Sequence, residues 1–112
     1  MKSYTDIEQS RKLAEILPLE SADMQWLIDD LGDPFPFHVD RVNENEEPCW
    51  SLAALLDIMP KVESVGYEQY PILEHDDEGY EISSPIHNTD YYDNPIDACY
   101  EMILKLHELN LL

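Results

Sequence analysis

Four histidines, two cysteines and 25 carboxylates are the groups in this chain that could do chemistry, and their spacing decides which kind. His38, His75, His87 and His107 never form a short-spaced pair, and no H-E-x-x-H or C-x-x-C run exists, so no zinc site is readable. His75 beside Asp76, Asp77 and Glu78 offers at most a weak seat for a divalent ion. A calcium loop needs oxygen ligands at alternating positions, a central glycine and a closing glutamate. Neither residues 76–79 nor residues 29–33 supply that pattern, and both read as solvated turns. Ser51 lies between Trp50 and Leu52 with no flanking glycine, unlike a nucleophile elbow, and reads as a helix N-cap. Cys49 becomes a nucleophile only if the fold brings a histidine to it. Among 25 acids some carboxylate pairs arise in any fold, so paired acids are no sign of acid–base catalysis. Gly32, Gly66 and Gly79 stand singly at turns, not in a phosphate-binding loop. The expectation is a protein that is not an enzyme, with no catalytic residue, no cofactor and no metal.

Charge is the unusual property. The 112 residues hold 25 Asp and Glu against six Lys and Arg, a net charge of −19. That surplus repels nucleic acid and an anionic membrane surface, so neither is expected as a direct partner. The hydrophobic fraction of 44% still provides for a core, and the length fits one globular domain over residues 1–112. Cys49 and Cys99 lie fifty positions apart without redox or metal spacing and read as reduced structural thiols. No apolar run is long enough to span a bilayer, and residues 1–6 are polar, unlike a signal peptide. A cytoplasmic location is expected.

The elements that would position these groups are led by the last nineteen residues. Asn94 is a good N-cap, Pro95 suits the first helical position, and Ile96, Cys99, Ile103, Leu106 and Asn110 recur at helical spacing. Asp97, Glu101, Lys105 and Glu108 form a narrow polar seam, with Glu101 and Lys105 an i,i+4 pair. Such a helix needs the rest of the chain wrapped around it. Thr5-Asp6-Ile7-Glu8 predicts a capping box opening a helix over 6–17 that stops before Pro18. Residues 19–32 carry both signals: Met24, Leu27, Ile28 and Leu31 at helical spacing, and Met24, Trp26 and Ile28 in alternation. Phe35, Phe37 and Val39 alternate among prolines, which suits an edge strand. Residues 40–48 predict an exposed acidic loop. Residues 49–59 predict a short helix, almost wholly buried, closed by Pro60. Tyr67 to Leu73 and Tyr80 to Ser83 read as two strands joined by the polar loop 75–79, and Tyr91 and Tyr92 could add an edge strand. Together these give an α+β class: a small antiparallel sheet with helices packed on one face and the C-terminal helix as core spine.

Cys49-Trp50-Ser51-Leu52-Ala53-Ala54-Leu55-Leu56, then Met59-Pro60, then residues 94–99 running into Leu104-Lys105-Leu106 form a further pattern with residues 17–24. In these pieces, under half of the chain, it resembles small uncharacterised acidic proteins of gut Bacteroides-type bacteria and their phages or mobile elements. The matching residues are of core type, so the resemblance implies fold and setting and no activity. It also implies a strand over residues 23–28.

The acids concentrate in three stretches, and the candidate interaction surface is Asp29, Asp30, Asp33, Asp40, Glu44, Glu46, Glu47, Glu74, Asp76, Asp77, Glu78, Glu81, Asp90 and Asp93. Spread evenly over the roughly 6,000–6,500 Å² of a fold this size, the carboxylates would stand about 16 Å apart. Duplex DNA carries one charge per ~1.7 Å of axis, so only convergence of the stretches would imitate it. The leading expectation is a non-catalytic acidic protein that binds a basic host nucleic-acid-binding or defence protein, imitating DNA. The second is a structural or accessory mobile-element protein that associates through apolar or tyrosine-rich patches, since Tyr67, Tyr70, Tyr80, Tyr91, Tyr92 and Tyr100 crowd the second half. An enzyme or ligand-binding domain ranks third. Acids that only keep the protein soluble remain the plainest account.

Overall fold

The computed structural model describes all 112 residues and has the α+β class, with 11 short elements. They are α1 (Ile7–Ala14), a 3-10 turn (Leu19–Ser21), β1 (Met24–Ile28), β2 (Pro34–His38), β3 (Pro48–Cys49), α2 (Leu52–Ile58), β4 (Val62–Ser64), β5 (Tyr67–Gln69), β6 (Ile72–Asp76), β7 (Gly79–Ser83) and α3 (Pro95–Glu108). Antiparallel pairing is divided among three small sheets, ordered β2-β1-β3, β4-β5 and β6-β7.

Helix α3 is the spine. Asn94 caps it by accepting from the Asp97 amide at 2.9 Å, and Pro95 opens its first turn. Ile96, Ala98, Cys99, Met102, Ile103 and Leu106 are all fully buried, and β7 and α2 pack on that face. Asn110 and Leu109 lie beyond the helix and are exposed. Of its polar seam, Lys105 pairs with Glu108 at 3.6 Å and not with Glu101. Glu101 instead accepts from the Asp90 amide at 3.3 Å.

Helix α1 starts one residue later than the Thr5 pattern predicts, because Thr5 is used elsewhere. Its side chain is fully buried, bonded to the Ser10 hydroxyl at 2.8 Å and accepting from the Trp50 amide at 3.1 Å. The capping box passes to Asp6 and Gln9. The helix ends at Ala14, where the 16 and 17 amides both fold back onto the Leu13 carbonyl ahead of Pro18. Residues 24–28 form a strand, so alternation prevails over the helical spacing of Met24, Leu27, Ile28 and Leu31. Strand β2 lies at the sheet edge, where Pro34 and Pro36 are tolerated.

The predicted helix 49–59 is divided. Cys49 is in β3, Ser51 caps α2, and within α2 only Leu55 is fully buried, while Ala53, Leu56 and Asp57 face solvent. Its apolar composition misleads because Cys49 and Trp50, the best-buried pair, precede the helix. Likewise 67–73 is not one strand. Tyr70-Pro71 separates β5, which returns to β4, from β6, which pairs with β7. The β4–β5 turn consists of Val65 and Gly66, both at positive φ (52° and 79°), the signature of a type I′ turn.

One polar clasp joins both ends of the chain. Lys2 Nζ lies 2.8 Å from Asp97 Oδ1 and 2.9 Å from Asp6 Oδ2. Gln9 Nε2 and Asn94 Nδ2 also donate to Asp97, at 2.8 and 2.9 Å. Burial alone would push the Asp97 carboxyl up, but hydrogen bonds from Lys2, Asn94 and Gln9 together hold it below its ordinary 3.8. Burial likewise lowers Lys2, and its bonds to Asp97 and Asp6 more than offset that.

Two predictions follow from this architecture. Asp97→Ala should cost about 1–2 kcal/mol in chemical denaturation near neutral pH, because three donors lose an ionised acceptor at a partly screened site. A folded carboxyl held below its unfolded value stabilises above that value. The wild-type advantage should therefore disappear as pH falls from about 4 through the lowered Asp97 titration. Val65→Asn should stabilise by roughly 0.5–1 kcal/mol, since a fully exposed β-branched residue now occupies a left-handed position that Asn tolerates. Thermal melts of the single variant check this.

Candidate interaction surface

The acids of β6–β7 are set by register. Leu73 faces Ile82 and His75 faces Tyr80 on one side of the hairpin, with Ile82 fully buried against the core. The other side then carries Glu74 directly opposite Glu81, with Asp76 next along the strand. Facing residues of an antiparallel pair have Cβ atoms about 4.5–5.5 Å apart, and next-but-one neighbours about 7 Å, so these carboxylates crowd one another. Glu81 shows it: partial desolvation, then the charges of Glu74 and Asp76, raise its carboxyl above the ordinary value. On the inner side the His75 ring stacks on Tyr80, centroids 4.1 Å apart and planes 5° from parallel, which holds the hairpin flat.

The third acidic stretch is brought to this hairpin by backbone pairing. Tyr80 and Tyr92 exchange two amide–carbonyl bonds, at 2.7 and 2.8 Å. Gly79 makes the approach possible: a Cβ there would stand 2.4 Å from the Tyr92 carbonyl oxygen. Tyr91 is thereby placed beside Asp76, Glu81 and Glu78, whose charges raise its phenol. The Glu101 carboxylate, with burial, pushes the Tyr92 phenol up to about 12. Glu74, Asp76, Glu78 and Glu81 thus share one neighbourhood with Tyr91, and Asp90 joins through Tyr92 and Glu101. Asp77 occupies the turn of the same hairpin, and Asp93 accepts from Asn94 at 3.0 Å.

The first stretch lies elsewhere. Asp29, Asp30 and Asp33 form the tip of β1–β2, where Asp29 Oδ1 accepts from the Leu31 and Asp33 amides, both at 2.9 Å. Asp40 borders an open groove of about 450 Å³ with Asp23 and Asp57. Glu44 lies with Arg41 on another shallow groove, and Glu46 and Glu47 flank Arg11. β1–β2 belongs to the sheet with β3, and β6–β7 is a separate sheet packed on α3 through β7, so the acids are divided between two sheets.

Almost none of the candidate acids is neutralised. Lys2, Arg11, Lys12, Lys61 and Lys105 form the ion pairs made by Lys and Arg, and among the fourteen candidate acids Glu47 alone takes part, at 3.1 Å from Arg11. The four lysines among them are used on acids outside the candidate set.

The chemistry-bearing residues are placed as follows. Ser51 Oγ and N–H both donate to Asp23, and His38 Nδ1 stands 3.9 Å from the same carboxylate. The carboxylate sits between serine and histidine, so no imidazole touches the hydroxyl, and the array works as a reinforced cap of α2. Asp23 was not singled out by sequence; its position two residues after the Leu19–Ser21 turn holds no local signal. Both cysteines are free and buried, with Cys49 raised by burial and Cys99 pushed up to about 12 by burial, so both hold their protons. No group of three or more His, Cys, Asp or Glu side chains is arranged to hold a metal ion. No helix is long and apolar enough to cross a membrane.

Comparison with protein families, curated proteins and solved structures finds no match.

The tyrosines divide. Tyr80, Tyr92 and Tyr100 pack on the core, whereas Tyr67, Tyr70 and Tyr91 are exposed. Sequence also gave no notice of the β1–β2 tip as an apolar surface, with Ile28 72% and Leu31 87% exposed. The available signal was Leu31 enclosed by Asp29, Asp30, Gly32 and Asp33, an apolar residue in a turn.

The hairpin repulsion generates a third prediction. Glu81→Gln should raise the melting temperature at pH 7. A carboxyl raised in the folded state destabilises above its folded value and is harmless below the unfolded one. The gain should therefore shrink towards pH 4.5 and in high salt. Melting curves at two pH values and two salt concentrations check both trends.

Proposed function

We propose that this is a non-catalytic acidic protein-interaction protein whose β6–β7 face, extended by Asp90 and Asp93, occupies the basic groove of a nucleic-acid-binding or defence protein. The observation that carries this reading is that thirteen of the fourteen candidate acids lack an ion-pair partner, while four of the six bases are paired elsewhere and Arg11 takes only Glu47. A partner's lysines and arginines would supply the missing counter-charge, and local spacings of about 5–7 Å exceed by far the density of an even spread. In the setting that the sequence resemblance suggests, that partner belongs to the host of a phage or mobile element.

The exposed apolar tip of β1–β2 favours a second reading, association through an apolar patch. Such an association would survive high salt, whereas one built on charge weakens steeply.

The deciding experiment is a titration against basic DNA-binding proteins in low and high salt, with a duplex DNA fragment as competitor. The expected result is a 1:1 complex that duplex DNA displaces. Its affinity should fall at least about tenfold between 50 and 200 mM salt. Glu74→Gln/Asp76→Asn/Glu81→Gln should weaken it comparably without unfolding the hairpin. Complexes indifferent to salt, or to these three substitutions, would refute the assignment.

A further inference from the structure

Burial fades along β1. Met24 and Gln25 are buried and Trp26 is half-buried, but Leu27 is 40% and Ile28 72% exposed. Side-chain alternation puts Met24, Trp26 and Ile28 on one face, with Pro36 and Pro34 opposite the last two. Near its base that face is covered: Tyr4 packs edge-on to Trp26 at 6.0 Å, and Trp26 Nε1 donates to Ser10 at 3.1 Å. Further out nothing covers it. Two open depressions, of about 430 and 340 Å³, share Ile7, Trp26 and Pro34 as lining and so form one groove between α1 and the hairpin. Ile28 extends its floor. Asp6 and Glu8 line the first depression and Glu46 and Glu47 the second. Asp6 is paired with Lys2 and Glu47 with Arg11, which leaves Glu8 and Glu46 without a counter-charge.

From this groove we infer a docking site for an amphipathic basic segment of a partner protein, its apolar side chains on Ile7, Trp26, Ile28 and Pro34 and its lysines or arginines on the unpaired Glu8 and Glu46. Charge decides among occupants. A second copy would bring another −19 and the same unpaired Glu8 and Glu46 to the groove. An anionic lipid surface would be repelled likewise. A basic segment satisfies both floor and rim, with its long side chains laying their stems along apolar surface and their charges at the edge. An exposed apolar strip rimmed by charge is the usual mark of such a surface. The inference rests on the basic-partner reading above and adds to it a second, apolar contact 

on a different hairpin.

The test uses the full chain and two synthetic peptides of equal positive charge, one with leucines and lysines at amphipathic helical spacing and one of lysine alone. Binding is followed by amide chemical shifts and tryptophan emission. The leucine-containing peptide should bind with shifts centred on Ile7, Trp26, Ile28 and Glu46, at least about tenfold tighter than its counterpart. Ile28→Ser, at a mostly exposed position, should remove about that advantage while the melting curve stays near wild type. Glu74→Gln/Glu81→Gln should leave it intact. Equal binding of the two peptides, shifts confined to β6–β7, or an Ile28→Ser protein that binds normally would each overturn the inference. If the lysine peptide still binds β6–β7 in a salt-dependent way, the function proposed above survives that failure. If neither peptide binds at low salt, both fall.

Discussion

Nineteen surplus negative charges must be held within a fold of 112 residues, and the placement of the few bases determines which parts can close and which remain open. The most consequential placement is Lys2. It lies between Asp6, the cap of α1, and Asp97 in the first turn of α3, so one ammonium relieves the two acids where both helices begin. Those acids also favour the positive ends of the helix dipoles, and capping, pairing and dipole act together on the same atoms. With that repulsion relieved, the Thr5 amide can donate to the Trp50 carbonyl and the Trp50 amide to the Thr5 hydroxyl behind it, and Trp50 can enter the core. The remaining bases are scattered over α1, the segment between β2 and β3, β4–β5 and the end of α3. None reaches β6–β7.

The shape reflects the same balance. Extents of 52 × 31 × 21 Å and a radius of gyration of 14.7 Å exceed the roughly 13 Å expected for a chain of this length. Two hairpins account for much of the surface: β1–β2, whose burial fades outward, and β6–β7, which keeps only its inner side on the core.

Elements whose signals are local were legible in the sequence. Asn94-Pro95 and the stripe from Ile96 to Leu106 specify α3 without reference to anything distant, and Ser51 caps α2 as its position suggests. Elements decided by distant partners were not. Thr5 has the local pattern of a cap, but burial against Trp50 takes its hydroxyl away. Met24, Leu27, Ile28 and Leu31 have helical spacing, yet pairing with both β2 and β3 makes residues 24–28 a strand. The apolar run 49–59 promises a buried helix because composition does not show that Trp50 fills the core before the helix begins. Of the candidate surface, the list of acids was legible and their grouping was not. That grouping depends on the Tyr80–Tyr92 pairing and on Gly79, and neither contact has a sequence signature.

The arrangement on β6–β7 also bears on why the acids are there. If solubility alone were the requirement, acids could be dispersed over the 6918 Å² of accessible surface, and facing positions on a strand pair would be the worst choice. Like charges directly opposite one another weaken a hairpin, and here Glu74 and Glu81 take those positions with Asp76 and Glu78 close by. The hairpin tolerates them because its inner side is held by Leu73, Ile82 and the His75–Tyr80 stack, and its edge by the Tyr92 pairing. A framework that holds repelling groups in a fixed array offers a cationic partner a preorganised site, where relief of the repulsion adds to the attraction of binding. On β1–β2 the unmet requirement is of another kind, an apolar strip left without cover. On the function proposed above, charge on one hairpin and apolar surface on the other would meet the same sort of partner, one that is basic and amphipathic.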